Sequence, residues 1–128
     1  MAKILIIEDD DVLGRFYKKV LSAKGHSVEI AADGGEGLAK IKSQKPALIL
    51  LDIMMPNVNG LEVLKAVKTD PQTEDIPVIV LTNLAGEADA QFALQKGADK
   101  YLVKSRVDAE KVIAEVSQSL ASVKKSVK

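Results

Sequence analysis

The 128 residues contain no cysteine. Disulfides, thiol catalysis and cysteine-ligated metal sites are therefore excluded. Only one histidine is present. It is His26, and after Gly25 it reads as a solvated loop residue. The chain is then no phosphohistidine donor itself, and it has no imidazole set for zinc. An excess of one charge is lacking too: 18 Lys and Arg balance 18 Asp and Glu. That argues against a general nucleic-acid or membrane-surface binder, since both need a basic face. No apolar run approaches the roughly 18 residues of a membrane helix, and no signal-peptide pattern precedes Lys3. A soluble, cytoplasmic protein is expected. Internal repeats and linkers are missing. The chain reads as one domain over residues 1–123, followed by a basic tail, 124–128, with Lys124, Lys125 and Lys128.

What is present is an alternation. Short apolar, β-branched runs at 3–7, 28–32, 47–51, 77–82 and 100–103 read as strands. Between and after them lie helical patterns at 11–24, 35–43, 58–69, 85–96 and 108 to about 123. The first helix is expected to turn Val12, Leu13, Phe16, Tyr17, Val20 and Leu21 inward, with Asp10 or Asp11 as its cap. Leu38 and Ile41 face inward from the second helix, and Leu61, Leu64 and Val67 from the third. Val112, Ile113, Val116, Leu120 and Val123 do so from the last. Gly60 and Gly97 read as turn or C-cap positions. The glycines at 34, 35 and 37 have no reason visible in the sequence.

Such alternation implies an α/β fold: a doubly wound, flavodoxin-like (βα)5 sandwich around a five-stranded parallel sheet. Apolar runs on strands one, three and four mark them as central, while strand two alternates as an edge does. The expected order is 2-1-3-4-5. Ligands of these sheets bind at the carboxyl ends of strands, where the order reverses. Strand one ends at Glu8-Asp9, strand three at Asp52, strand four at Thr82-Asn83 and strand five at Lys104-Ser105. Clustered carboxylates stay ionised only beside a cation, and hard oxygen ligands in a partly hydrated site favour magnesium. A fixed ammonium and a hydroxyl beside a metal suit an incoming phosphoryl group.

With these pieces in order, the chain resembles the receiver domain of two-component response regulators from end to end. The carriers are KILIIEDD, LILLDIMMPNVNG, PVIVLT and GADKYLVKS. The layout is close to that of single-domain chemotaxis and sporulation regulators. The resemblance implies a phosphoacceptor, Asp52, that takes its group from a histidine kinase or histidine phosphotransfer protein. It implies magnesium held by Asp9 and Asp52, by Glu8 acting through water and by the backbone carbonyl of Met54. Thr82 and Lys104 are implied to bind the phosphoryl group, and Tyr101 to move inward when Thr82 shifts. The output face is then the fourth helix, fifth strand and fifth helix, residues 85–122, contacting a downstream protein. A homodimer through the same face is left open. No enzymatic or DNA-binding segment follows the fifth helix, so output is expected by protein contact unless the chain is part of a longer one.

Two departures from the family pattern bear on the site. Ser105 stands where a proline usually follows the lysine, which leaves the geometry of Lys104 open. Asn83 is larger than the usual neighbour of the threonine. Met54 and Leu84 are apolar and cannot orient a hydrolytic water, so a phosphoryl group on Asp52 is expected to be long-lived. A flavodoxin is disfavoured because Glu8, Asp9, Asp10 and Asp11 would repel a flavin phosphate. A phosphatase of the haloacid dehalogenase type lacks its second acid, since Met54 occupies that position. The remaining rival is a degenerate receiver that binds proteins without phosphorylation.

Overall fold

The computed structural model describes residues 2–55 and 59–126, with side chains as far as Ser122. Five strands, β1 (Lys3–Ile7), β2 (Ser27–Ala31), β3 (Leu48–Leu51), β4 (Val78–Thr82) and β5 (Lys100–Val103), form one sheet. The order is β2-β1-β3-β4-β5 and every pairing is parallel. Five helices alternate with them: α1 (Asp11–Ser22), α2 (Gly34–Gln44), α3 (Gly60–Thr69), α4 (Glu87–Gln95) and α5 (Ala109–Ser126). A single 3-10 turn, Lys104–Arg106, joins β5 to α5. The fold class and strand order are those expected from the alternation.

The sheet divides the core in two. On one face Leu5, Ile7, Ile49, Leu51, Val78 and Val80 meet α2, α3 and α4 through Ile41, Val63, Leu64, Val67 and Ala93. On the other, Ile4, Ile6, Leu48, Leu50, Ile79 and Leu81 meet α1 and α5 through Tyr17, Leu21, Val112 and Val116. Successive strand side chains therefore bury on opposite faces, which is why β1, β3 and β4 are apolar without interruption. No helix among the described residues is long and apolar enough to cross a membrane.

Several boundaries and faces differ from the sequence reading. Val12 and Phe16 are not inward: they are 71% and 46% exposed. The buried stripe of α1 runs through Leu13, Gly14, Tyr17, Val20 and Leu21, and at about 100° per residue Val12 and Phe16 fall outside it. Gly14 is buried facing Ile30, where an added Cβ would make ordinary contact at 3.5 Å. In α3, Val63 joins the expected inward residues. The expected start of that helix at Val58 lies outside the described residues, as does the side chain of Val123. In α5, Ser119 is buried beside the expected apolar positions. That helix continues through Lys124 and Lys125 to Ser126.

One glycine of α2, Gly37, now has a reason. A Cβ at Gly37 would stand 2.6 Å from Ile7 Cδ1, so this helix packs backbone-close on β1. Gly60 is not a C-cap; it is the first residue of α3. Gly97 takes φ 110° after α4 and Gly25 φ 92° after α1, where left-handed backbone favours glycine. His26 is half-buried rather than solvated. Its Nδ1 accepts the Ala2 amide at 3.2 Å, tying the start of the sheet to the turn after α1. Burial holds its pKa below the usual value.

Candidate functional site

Four strand ends meet at one edge of the sheet. The Glu8 amide bonds to the Ala31 carbonyl and the Asp52 amide to the Ile7 carbonyl, each at 3.0 Å. The sheet ladder thus carries both acids past the ends of β1 and β3. Asp10 caps α1 by accepting the Leu13 amide at 3.1 Å, and Asp11 sits in the first turn, 3.2 Å from Arg15. These two acids support the helix start, as the sequence allowed.

Glu8, Asp9 and Asp52 each offer a carboxylate oxygen, and these atoms lie within 4.8 Å of one another. Lys104 joins them from the 3-10 turn after β5. Its Nζ is 2.6 Å from Glu8 Oε1 and 2.8 Å from Asp52 Oδ2. No described peptide bond is cis, and the Lys104-Ser105 backbone delivers the ammonium to the acids all the same. Asp52 Oδ1 accepts the Met54 amide at 2.9 Å, which folds the chain sharply after β3. Thr82, fully buried, sits at the end of β4, and its Oγ1 accepts the Leu84 amide at 3.3 Å.

Burial shapes the electrostatics. It raises the pKa of Glu8, against hydrogen bonds from Lys104 and the Asp10 amide that favour the carboxylate. Burial acts to lower the pKa of Lys104, but hydrogen bonds to Asp52 and Glu8 outweigh it, and the net direction is upward. The ammonium therefore persists. Three carboxylates beside one ammonium leave two negative charges in excess, which a divalent ion would offset. The donor set is hard oxygen, with Asp9 exposed at its edge. Such a set fits magnesium, which takes few protein ligands and keeps water. His26 stands away from it, next to Ala2 at the start of the sheet.

Tyr101 lies on β5, its ring packed partly against the core on the α4 side. Its hydroxyl donates to the Leu84 carbonyl at 2.6 Å, so it grips the segment that follows Thr82. Met54 is exposed at the rim and Asn83 is exposed, whereas Leu84 is half-buried and packs on the core. The structure thus brings together Glu8, Asp9, Asp52 and Lys104, with Thr82 and Tyr101 linked through Leu84.

Two residues were missed from the sequence. Burial raises the pKa of the Tyr17 phenol, which also feels the charges of Lys104, Glu8 and Asp52. An inward tyrosine on the helix that follows Glu8 was the available signal. Gly60 is the other: a Cβ there would lie 2.4 Å from Ile53 Cα and 2.5 Å from the Asp52 carbonyl oxygen. Only glycine lets α3 start against the backbone of Asp52 and Ile53.

The chain is similar to proteins of one known family. The family model described as the response regulator receiver domain matches residues 4–117. The chain is 36% identical over 121 residues to protein PilH of Pseudomonas aeruginosa, covering 94% of this chain and 99% of that one. It is 39% identical over 120 residues to the response regulator ArlR of Staphylococcus saprophyticus, covering 94% of this chain but 53% of ArlR. It is 38% identical over 104 residues to the transcriptional regulatory protein AfsQ1 of Streptomyces coelicolor, covering 81% and 45%. The chain thus spans about half the length of these last two. Among solved structures, a CheY-like receiver domain protein of Methanospirillum hungatei superposes with a TM-score of 0.92 at 32% identity, covering 98% of each chain. The receiver domain of the Francisella response regulator 1452 gives 0.87 at 29%, covering 94% of this chain and 98% of that one.

Proposed function

The chain belongs to the response regulator receiver family, and on that premise we propose that Asp52 accepts a phosphoryl group from a phosphohistidine on a partner histidine kinase or histidine phosphotransfer protein. Receiver domains are signalling phosphoacceptors rather than metabolic enzymes, and they interact with histidine kinases and downstream targets. The observation that carries the reading for this chain is the meeting of Asp52 with Glu8, Asp9 and Lys104 at the strand ends.

In the transfer, one Asp52 carboxylate oxygen forms a bond to phosphorus as the phosphorus–nitrogen bond of the donor breaks. The electron pair of that bond returns to the imidazole. Asp9 and Asp52 would hold magnesium, with the Met54 carbonyl and Glu8 as the further candidates. The bound ion supplies positive charge against the carboxylates and the incoming group. Lys104, already 2.8 Å from Asp52, pairs with a phosphoryl oxygen. The Thr82 hydroxyl proton has no acceptor among the described residues and is free to donate to another oxygen. Phosphorylation adds about one negative charge and new acceptor oxygens, which draw Thr82 and Lys104 inward. Leu84 and Tyr101 follow, since the Thr82, Leu84 and Tyr101 bonds form one chain. The face made by α4, β5 and α5 then changes for a downstream protein. Exposed, apolar Met54 orients no water for hydrolysis, which favours a long-lived phosphoryl group.

The test is incubation with acetyl phosphate and magnesium, read by intact mass. A gain of one phosphoryl group, absent in Asp52→Asn, supports the reading. A parent chain with no gain refutes it.

A further inference from the structure

The end of the sheet opposite the acids holds a cavity of about 660 Å³. The segments entering β1, β2, β3 and β4, together with α5, form its walls. Pro46, Ala47, Ile76, Pro77, Leu120 and Ala121 give it an apolar body. Two of these are prolines, which bring no N–H to the cavity. Neighbouring backbone donors are already engaged. Ala47 donates to the Lys3 carbonyl at 2.7 Å, Ser27 to the Ala2 carbonyl at 2.9 Å and Ala2 to His26 Nδ1 at 3.2 Å. That last bond sets the tautomer of the neutral ring: Nδ1 accepts, so the proton stands on Nε2. His26 lines the cavity and brings this N–H donor to its wall.

Charge is spread unevenly along the cavity. Lys3 and His26 belong to the starts of β1 and β2, which pair through Lys3 and Ser27. Glu29, two residues further along β2, is paired with Lys40 at 3.0 Å. Asp75 lines the cavity from the segment before β4. In the order β2-β1-β3-β4, the starts of β2 and β4 stand three strand spacings apart, about 14 Å. One end thus carries a cation and a neutral donor, and the other an acid.

We propose that this cavity binds a small carboxylic acid with an apolar body, its carboxylate accepting from His26 Nε2 beside Lys3 and its body lying over Pro46, Ile76, Pro77 and Leu120. The volume falls within the roughly 300–1,000 Å³ of small-molecule sites, which are mostly apolar with a few placed polar groups. The anion goes to the Lys3 end because Asp75 would repel it at the other. Neutral His26 suffices, since the donor is the ring N–H it already carries. The cavity lies at the amino ends of the strands and Asp52 at a carboxyl end, so the proposal does not depend on the phosphoacceptor reading.

The test is titration of the full, nitrogen-labelled chain with sodium octanoate, followed through its amide resonances. Saturable shifts at Ala2, His26, Ala47, Ile76 and Ala121 support the proposal. Octylamine, with the same body and the opposite charge, leaves those resonances in place. His26→Phe keeps a ring but loses the N–H, and octanoate then binds about tenfold more weakly. Ala121→Trp, at an exposed position of α5, fills the cavity and abolishes the shifts, with the melting temperature reporting the fold. Should that variant melt early, Ala47→Leu fills the cavity from another wall. Shifts that grow without saturating, that gather around Asp52 instead, or that octylamine reproduces overturn the proposal. Undiminished octanoate binding in a stably folded filled variant, or in His26→Phe, overturns it too.

Discussion

Replacing Gly60 with alanine tests how tightly Asp52, the proposed acceptor, is held from behind. The added Cβ would stand 2.4 Å from Ile53 Cα, 2.5 Å from the Asp52 carbonyl oxygen and 3.1 Å from the Asp52 carbonyl carbon. Ordinary carbon contacts lie near 3.5 Å, so the segment after β3 or the start of α3 must retreat by about 1 Å. All three neighbours are backbone, and no side-chain rotation relieves the contact. Overpacking of this kind costs about 1–3 kcal/mol, and this case belongs at the upper end. A 1 Å displacement of a reacting group also slows its reaction by about a hundredfold. Urea unfolding and the initial rate of phosphoryl uptake from acetyl phosphate measure the two effects. Two other glycines provide the scale. At Gly37 the obstacle is the Ile7 side chain at 2.6 Å, which has rotamers to adjust, so the loss is smaller and phosphoryl uptake persists. At Gly35 the nearest atom is Asp33 Oδ1 at 3.4 Å, and alanine adds about 0.5–1 kcal/mol of helix preference. Parental stability and uptake in Gly60→Ala, or a Gly35→Ala loss as large as that of Gly60→Ala, would refute the reasoning.

Other outcomes follow from the same geometry. Magnesium raises the melting temperature, with about 2.7 kcal/mol of added stability at a hundredfold excess over Kd, and Asp9→Asn removes most of the rise in scanning calorimetry. Tyr101→Phe deletes the bond to the Leu84 carbonyl and costs about 1 kcal/mol; hydrogen exchange quickens after β4, and unchanged protection there would contradict this. His26 has a folded pKa below its unfolded value, so the unfolded chain binds the extra proton. Stability conferred by neutral His26 is then complete above the unfolded pKa, near 6.5, and declines as pH falls toward the folded pKa. His26→Gln flattens that part of the urea-midpoint profile; an unaltered slope would count against it. Met54→Asn places a polar group at the exposed rim and shortens the lifetime of the phosphoryl group by mass spectrometry, while an equal lifetime would show that Met54 does not protect it.

The sheet was legible because its central strands, β1, β3 and β4, are buried on both faces. Uninterrupted runs such as Leu48–Leu51 admit few other placements, and strand ends followed from them. The acids and Lys104 were legible as strand-end residues for the same reason. Helix faces were less so. Val12 and Phe16 share the apolar character of Leu13 and Tyr17, and composition alone does not say where the stripe ends. Gly14, which carries no hydrophobic signal, is nevertheless part of the buried stripe of α1. Gly37 and Gly60 were opaque because their reason is a backbone approach from a distant segment, visible only after folding. His26 looked like a turn residue, yet it finds the Ala2 amide 24 positions away.

The site is held by balance rather than by isolated attractions. Asp52 has one oxygen on the Met54 amide and the other on Lys104, so its carboxylate is fixed from both sides. Lys104 also satisfies Glu8, which burial would otherwise push toward protonation. Removing any one charge therefore alters the others. In Asp52→Asn the ammonium keeps Glu8, whereas in Lys104→Ala both buried acids lose their counterion. The second change disturbs the fold more, even though the first removes the proposed phosphoacceptor. This asymmetry follows from Lys104 serving two acids while Asp52 serves one lysine. It separates the residue that organises the site from the residue proposed to react.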